Sequence, residues 1–293
     1  MRPLSHTVTS EEAGLPVRHV LTEVFMMSSS HISRLKRREG GILKNGAPCY
    51  VTAKLIEGDA VSALISDPPE TKRLSPEPYP LKIVYEDEWL CVVDKPAGLT
   101  VHPERSGMGG SVENALSAHF DGDEFVHTVS RLDRGTSGLM TVAKSGYVHE
   151  RMIRLLHTES FYKEYLGLCK GCPEEAHGFI RLPLAHPEGE NFRMEVTENG
   201  HECVTEYEVV KRFEDRSLVR LIPHTGRMHQ LRAHMAATGH PLVGDWLYGE
   251  EMPEISHAAL HSHLLRFVHP MTGETVELSS PLPGEIMALM PDE

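Results

Sequence analysis

Apolar residues recur along this chain at two spacings, every second position over short stretches and every third or fourth over longer ones, so the pattern predicts strands mixed with helices. Residues 1–14 carry neither rhythm and read as a loose start. Residues 15–65 read as one compact unit. Within it, Ser30-His-Ile-Ser-Arg-Leu-Lys-Arg-Arg places Ile32 and Leu35 at helical spacing behind a capping serine, with basic residues on the other faces. A short strand follows Gly40-Gly41 and ends at an Asn45-Gly46 turn, and strand-like runs at 51–55 and 60–65 flank Glu57-Gly-Asp. Residues 67–80 hold five prolines among mostly polar neighbours, which suits neither a helix nor a central strand. The pattern therefore divides the chain into a small unit (1–66), a proline-rich linker (67–80) and a larger unit (81–293).

In the larger unit, 89–93 reads as a buried strand ended by the turn Lys95-Pro-Ala-Gly, and 111–118 as a helix. A strand at 139–143 leads to a helix capped by Ser145, with Val148, Met152, Leu155 and Leu156 on one face. The strand at 161–168 places Lys163 and Tyr165 on the same face, because side chains alternate along extended backbone. Further strands are predicted at 204–210, 218–222 and 275–278. Thr225 to Pro241 reads as a helix stopped by Gly239.

Composition narrows the classes. In 293 residues, 40% are apolar and 24% charged, an ordinary globular balance for one large or two smaller domains. Apolar runs such as Leu90 to Val93 are too short to span a membrane, and the first dozen residues lack the apolar core of a secretory signal, so the expected compartment is the cytoplasm. The five cysteines are irregularly spaced and imply no disulfide framework, and the lone Cys169-Lys-Gly-Cys172 lacks the second pair of a zinc site. Net charge is -13, yet Arg34, Lys36, Arg37, Arg38 and Lys44 gather in one short segment against Glu39 alone, and such a patch can bind phosphates on an acidic protein.

The chemistry concentrates in His-Thr-Val-Ser-Arg-Leu-Asp-Arg-Gly-Thr-Ser-Gly-Leu-Met, residues 127–140. If Val129 to Asp133 is extended, Arg131 and Asp133 point the same way and Arg134 the other, and an arginine close to an aspartate favours the carboxylate form. Gly135 and Gly138 around Thr136 and Ser137 suit a tight turn that brings backbone near a ligand. Taken alone, the stretch reads more readily as a structural ion pair beside a polar turn than as a reactive site. Nineteen histidines raise the question of a metal. His229 and His234 sit about 140° apart on a helix and cannot share one, and His257 and His261 lack the adjacent glutamate of a zinc peptidase.

Lys-Pro-Ala-Gly-Leu, Arg-Leu-Asp-Arg-x-Thr-Ser-Gly-Leu, Lys-x-Tyr, Thr-Gly-Arg-x-His-Gln-Leu-Arg-x-His-Met, Gly-His-Pro-Leu-x-Gly-Asp-x-x-Tyr-Gly and the closing Leu-His-Ser and Phe-x-His-Pro-x-Thr-Gly-Glu segments follow one another from residue 81 to the C-terminus. This succession resembles the RluA-type pseudouridine synthases. The basic helix with its Asn-Gly and Gly-Asp turns resembles the alpha-L RNA-binding domain that often precedes them. The resemblance implies an α+β fold with a mixed, mainly antiparallel central sheet and flanking helices, behind a small alpha-L domain. It implies isomerisation of uridine to pseudouridine in ribosomal or transfer RNA, without cofactor or metal, by a monomer. Asp133 would be the nucleophile, Tyr165 the platform under the flipped base, and Arg227 the partner that aims Asp133. Arg131, Arg134, Thr136, His229 and Arg232 would bind the substrate, and Arg34, Lys36, Arg37, Arg38 and Lys44 the RNA beyond it. Ser130 stands where the family usually has histidine, and Met228 where threonine or serine is common. A non-catalytic RNA-binding or ribosome-assembly factor on the same scaffold is the alternative, but that reading predicts loss of the aspartate, tyrosine or arginine, and all three are present.

Overall fold

The computed structural model describes residues 3–67, 74–103, 109–121, 125–156 and 158–291. The chain opens with β1 (Leu4–Thr7), α1 (Val17–His19), α2 (Ser29–Leu35), β2 (Ile42–Lys44), β3 (Ala47–Pro48) and β4 (Ala60–Ala63), which form a four-stranded sheet in the order β1-β4-β2-β3. β1 lies where the pattern predicts a loose start. Its partner is remote, Leu4 facing Ala63, and no local spacing reports such a pairing. α2 forms as expected but two residues early, with Ser28 in place of Ser30 as its cap, the Ser28 hydroxyl accepting the His31 amide at 3.0 Å and Ile32 and Leu35 facing inward. Asn45 and Gly46 both adopt the left-handed conformation that a two-residue hairpin turn requires.

The larger unit continues through β5 (Lys82–Glu86), β6 (Leu90–Lys95), α3 (Val112–His119), β7 (His127–Thr128), β8 (Ser137–Ala143), α4 (Gly146–Leu155), β9 (Phe161–Lys170), β10 (His177–Ile180), β11 (Leu184–Ala185) and β12 (Glu195–Val196). It ends with β13 (Thr205–Arg212), β14 (Arg216–Pro223), α5 (Gln230–Ala237), β15 (Leu260–Val268), β16 (Thr275–Ser279) and α6 (Gly284–Met287). Its main sheet runs β10-β13-β14-β9-β15-β8-β6-β5, with β16 on β15 and β7 on β8. Among the described residues β15 and β8 make its one parallel pairing, so the fold is α+β with a mixed, mainly antiparallel sheet, as expected. Ser111 and Ser145 cap α3 and α4 by accepting the Asn114 and Val148 amides at 3.2 and 3.3 Å. β15 escapes the alternation rule because it lies between β9 and β8, so that neighbouring His261 and Ser262 are both buried. No helix among the described residues is long and apolar enough to cross a membrane.

The two units share one hydrophobic core. Val20, Leu21, Phe25 and Ile32 pack in the same cluster as Tyr147, Val148 and Met152 of α4. Polar contacts reinforce the joint: the Tyr147 hydroxyl donates to the Phe25 carbonyl at 2.6 Å, the Ser28 hydroxyl to Glu150 at 2.8 Å, and Arg154 to the Met26 carbonyl at 3.0 Å. Within the expected linker, residues 68–73 lie outside the described residues. Residues 74–80 form no regular element but are tied to α3, whose Asn114 and Ser117 side chains donate to the Ser75 and Leu74 carbonyls.

A buried lysine joins the sheet to the loop that follows β7. Lys95 is 1% exposed, and its ammonium donates to the carbonyls of Pro96, Leu99 and Arg134 at 3.0, 2.9 and 3.1 Å. Burial pushes it down to about 8, while the Asp133 charge works the other way. Lys95→Met removes the donor from three carbonyls and is expected to lower stability by about 3 kcal/mol in chemical denaturation. The cost of burying the protonated form is present below pH 8 and disappears between about 8 and the ordinary lysine value of 10.5. The wild-type margin over the variant should therefore widen as pH rises through that window, and a margin that shrinks there would refute this role.

Candidate active site

The chain leaves β7 at Thr128 and runs irregularly to β8, not in the extended form expected for 129–133. The Thr136 amide closes a turn on the Asp133 carbonyl at 3.0 Å. Gly138, at φ +105, lies so close to β15 that a Cβ there would sit 2.3 Å from the Ser262 carbonyl oxygen, so the T-S-G glycine is fixed by strand contact. Asp133 lines a cleft of about 540 Å³ and is, among the described residues, the one carboxylate on its wall. Arg131, Arg134, Thr136, Tyr165, Arg227, His229 and Arg232 share that wall, so the loop, β9 and the start of α5 bring all the expected site residues together.

The partner of Asp133 differs from the expectation. Arg232 Nη1 donates to Asp133 Oδ2 at 3.3 Å, and His229 Nε2 lies 3.8 Å from the same oxygen. Among the described residues Arg227 makes no ion pair with Asp133. It is exposed, its amide donates to Gln230 Oε1 at 3.1 Å, and its guanidinium acts on the Cys203 thiol. The reason is where the helix begins. Residues 225–229 are not helical: His229, at φ +50, turns the chain, and α5 starts at Gln230, so Arg232 in its first turn faces the loop. Arg131 likewise makes no ion pair with Asp133 among the described residues. It is exposed on the cleft wall, since the loop lacks the strand geometry that would have aligned the two.

Arg232 is itself held rigidly. Its Nε and Nη2 donate to the two oxygens of fully buried Asp245 at 2.7 Å each, a planar fork, and its guanidinium carbon lies 5.2 Å from the centre of the Tyr248 ring. Tyr248 also holds the neighbouring elements: its hydroxyl accepts the Met194 amide at 2.7 Å and meets His229 Nδ1 at 3.2 Å. Burial pushes the His229 imidazole below its ordinary value, with the Asp133 carboxylate pulling the other way. Tyr165 is 7% exposed on β9. Burial first and the Asp133 charge second push its hydroxyl above the ordinary tyrosine range, so it remains a neutral phenol. Arg134 donates through Nε to the Gly98 carbonyl at 3.0 Å, fastening the loop to the turn after β6.

Asp245 and Tyr248 carry a visible signal in Gly-Asp-x-x-Tyr-Gly, but their role depends on the fork, which only the folded chain brings together. Lys163 had one too, two residues before Tyr165 on β9, and it also lines the cleft. Cys169 is buried within β9, and its thiol is pushed up by burial.

The basic segment of the small unit divides. Arg34, Lys36 and Arg37 are exposed. Lys44 is committed inside the unit, donating to Asp59 at 2.9 Å and to the Lys54 carbonyl at 3.0 Å, and Arg38 donates to the Ser66 carbonyl at 2.6 Å. These two therefore leave the set of free phosphate ligands, Lys44 because Asp59 of the Gly-Asp turn takes its charge and Arg38 because Ser66 takes its guanidinium. The Ile56 amide, Lys44 and Asn45 together hold the Asp59 carboxyl down to about 2.

A family model described as RNA pseudouridylate synthase matches residues 90–237. Ribosomal large subunit pseudouridine synthase D of Pasteurella multocida is 33% identical over 307 residues, covering 98% of this chain and 94% of that protein. An uncharacterized RNA pseudouridine synthase of Bacillus subtilis, YlyB, is 35% identical over 260 residues, covering 86% of each. The solved structure of Human RNA Pseudouridylate Synthase Domain Containing 1 is similar with a TM-score of 0.58 and 29% identity, over 70% of this chain and 86% of that one.

Proposed function

The chain belongs to the RNA pseudouridylate synthase family, and from that membership we propose that it isomerises uridines of large-subunit ribosomal RNA, with Asp133 as nucleophile, Arg232 as the group that aims it and Tyr165 beneath the base. The observation that carries this reading is a carboxylate that stands alone among the cleft's described residues, in a cationic wall, and is fixed by an arginine itself forked to a buried aspartate. In the isomerisation the bond from uracil nitrogen 1 to ribose breaks, the uracil turns, a carbon–carbon bond to the same ribose carbon forms, the proton on carbon 5 leaves to solvent, and nitrogen 1 takes a proton up. A carboxylate suits this sequence because it can form an adduct with the nucleoside and later release it. The neutral phenol of Tyr165 offers a ring face for the base and a hydrogen-bond donor, not an anionic base.

A base stacked in RNA must be extruded to reach Asp133, and the contacts in the cleft must offset the few kcal/mol of unstacking. Large-subunit RNA is favoured over transfer RNA by the similarity to ribosomal large subunit pseudouridine synthases that extends over nearly the whole chain. A ribosomal substrate in turn favours the cytoplasm. Asp133, Tyr165, Arg232 and Asp245 complete the site without a residue from a second copy, so a monomer is the working unit we propose. Residues 1–66, read as an alpha-L domain on the linker 67–80, would add RNA affinity through Arg34, Lys36 and Arg37. Changing these three to alanine should weaken RNA binding and reduce the salt dependence of log Kd by about 2 to 3. Equal slopes in a salt titration would remove the small unit from the RNA contact.

The reading as a whole is tested by mapping pseudouridines in total RNA from cells with and without the gene. Loss of one or more sites in large-subunit RNA is expected. Loss confined to transfer RNA would overturn the substrate, and an unchanged map would overturn the activity in those cells.

A further inference from the structure

Among the described residues, several buried or half-buried cations are answered within the chain. Lys95 has three carbonyls, Arg232 has Asp245 and Asp133, Lys144 has Glu86, and Arg220 has Glu164 and Glu208. Lys163 is different. Along β9 the side chains alternate, so that Tyr162 and Glu164 bond to each other on one face while Lys163 and Tyr165 turn to the cleft. The Lys163 ammonium has no hydrogen-bond or ion-pair partner among the described residues, and burial alone pushes it below the ordinary lysine range. Lys163 and Asp133 line the same cleft, yet among the described residues they make no ion pair with each other, so the ammonium is not the counter-ion of the nucleophile.

An uncompensated ammonium in a partly dry site is unfavourable in the free protein, and it becomes favourable when an anion enters. The uracil ring is neutral, so the anion that accompanies a flipped uridine is a phosphate of its own strand. That phosphate must also lie away from the Asp133 carboxylate, since like charges repel. Leu156, at the end of α4, lines the same cleft, and α4 carries the small unit through Arg154 and Tyr147. We propose that Lys163 is a positioning residue that binds a backbone phosphate next to the target uridine, at a subsite separate from Asp133 that the free protein leaves without a counter-ion. The proposal rests on the isomerase reading above, and Lys163 acts by fixing the strand so that the ribose of the flipped nucleotide meets Asp133.

The experiment uses the full chain with in vitro transcribed large-subunit ribosomal RNA carrying tritium at carbon 5 of uridine, and compares wild type, Lys163→Met and Lys163→Arg. For Lys163→Met, the half-saturating RNA concentration should rise at least about tenfold, by a larger factor than any fall in the saturated rate, and the salt slope should drop by about one. Lys163→Arg should recover most of the affinity. The melting temperature of free Lys163→Met should be higher than that of wild type, because the unanswered charge is gone. Unchanged half-saturation and salt slope would overturn the proposal, as would a loss confined to the saturated rate. A lower melting temperature would do the same, since it would reveal a structural partner. If wild type itself releases no tritium, the isomerase reading fails instead, and filter binding of the same RNA to the three proteins still decides whether Lys163 holds a phosphate.

Discussion

Asp133→Asn should bind RNA with nearly wild-type affinity and lose at least about 10⁴-fold in isomerisation rate, the scale seen when a nucleophile is removed from a preorganised site. The amide keeps the size of the side chain and can still meet Arg232 through its oxygen, so the loop and cleft should persist. What disappears is the negative oxygen able to form and release an adduct. Affinity should survive because the cleft wall otherwise carries cations, among them Arg131, Arg134 and Arg227. Removing one negative charge from beside an incoming polyanion is neutral or helpful for binding by simple electrostatics. Parallel measurements of Kd and single-turnover rate separate the two effects, and a variant that loses affinity as steeply as rate would indicate a structural role for the carboxylate.

Arg232→Lys should lower the rate by about a hundredfold, while Arg227→Met should cost less than about tenfold. Lysine preserves a positive charge, so Asp245 is not left buried and alone, but a single ammonium cannot reproduce the fork that reaches Asp245 with two nitrogens and Asp133 with a third. Asp133 would then keep its charge and lose its direction. Asp245→Asn acts through the same fork and should fall between the two. The contrast is the informative part, because Arg227 lies exposed and bonds through its backbone to Gln230. Equal losses at positions 227 and 232 would return Arg227 to the role that the sequence resemblance implied.

That exchange shows where sequence stops being sufficient. Ser111 and Ser145 cap their helices as local chemistry demands, and the alternation along β9 places Tyr165 in the cleft, because both depend on neighbours in the chain. The Asp133–Arg232 pair joins residues 99 positions apart, and which arginine reaches the loop depends on a single left-handed residue, His229, that sets the first turn of α5. Periodicity over 225–241 cannot locate that turn. β1 failed for a related reason, since its hydrogen bonds go to β4 and its own residues are too few to carry a pattern. Lys44 and Arg38 looked like free cations because their partners, Asp59 and Ser66, come later in the chain. The core shared by α4 and the small unit is likewise invisible to a reading that splits the chain at its prolines.

The account turns on one event at one carboxylate, the conversion of uridine to its carbon-linked isomer in RNA at Asp133. Wild type and Asp133→Asn should be incubated side by side with 5-tritiated large-subunit ribosomal RNA, at concentrations where both are saturated, and released tritium compared with pseudouridine recovered after digestion to nucleosides. The account predicts equimolar tritium and pseudouridine from wild type and neither from the variant. Release by the Asp133→Asn protein at the wild-type rate, or tritium lost from wild type without pseudouridine formed, would contradict it.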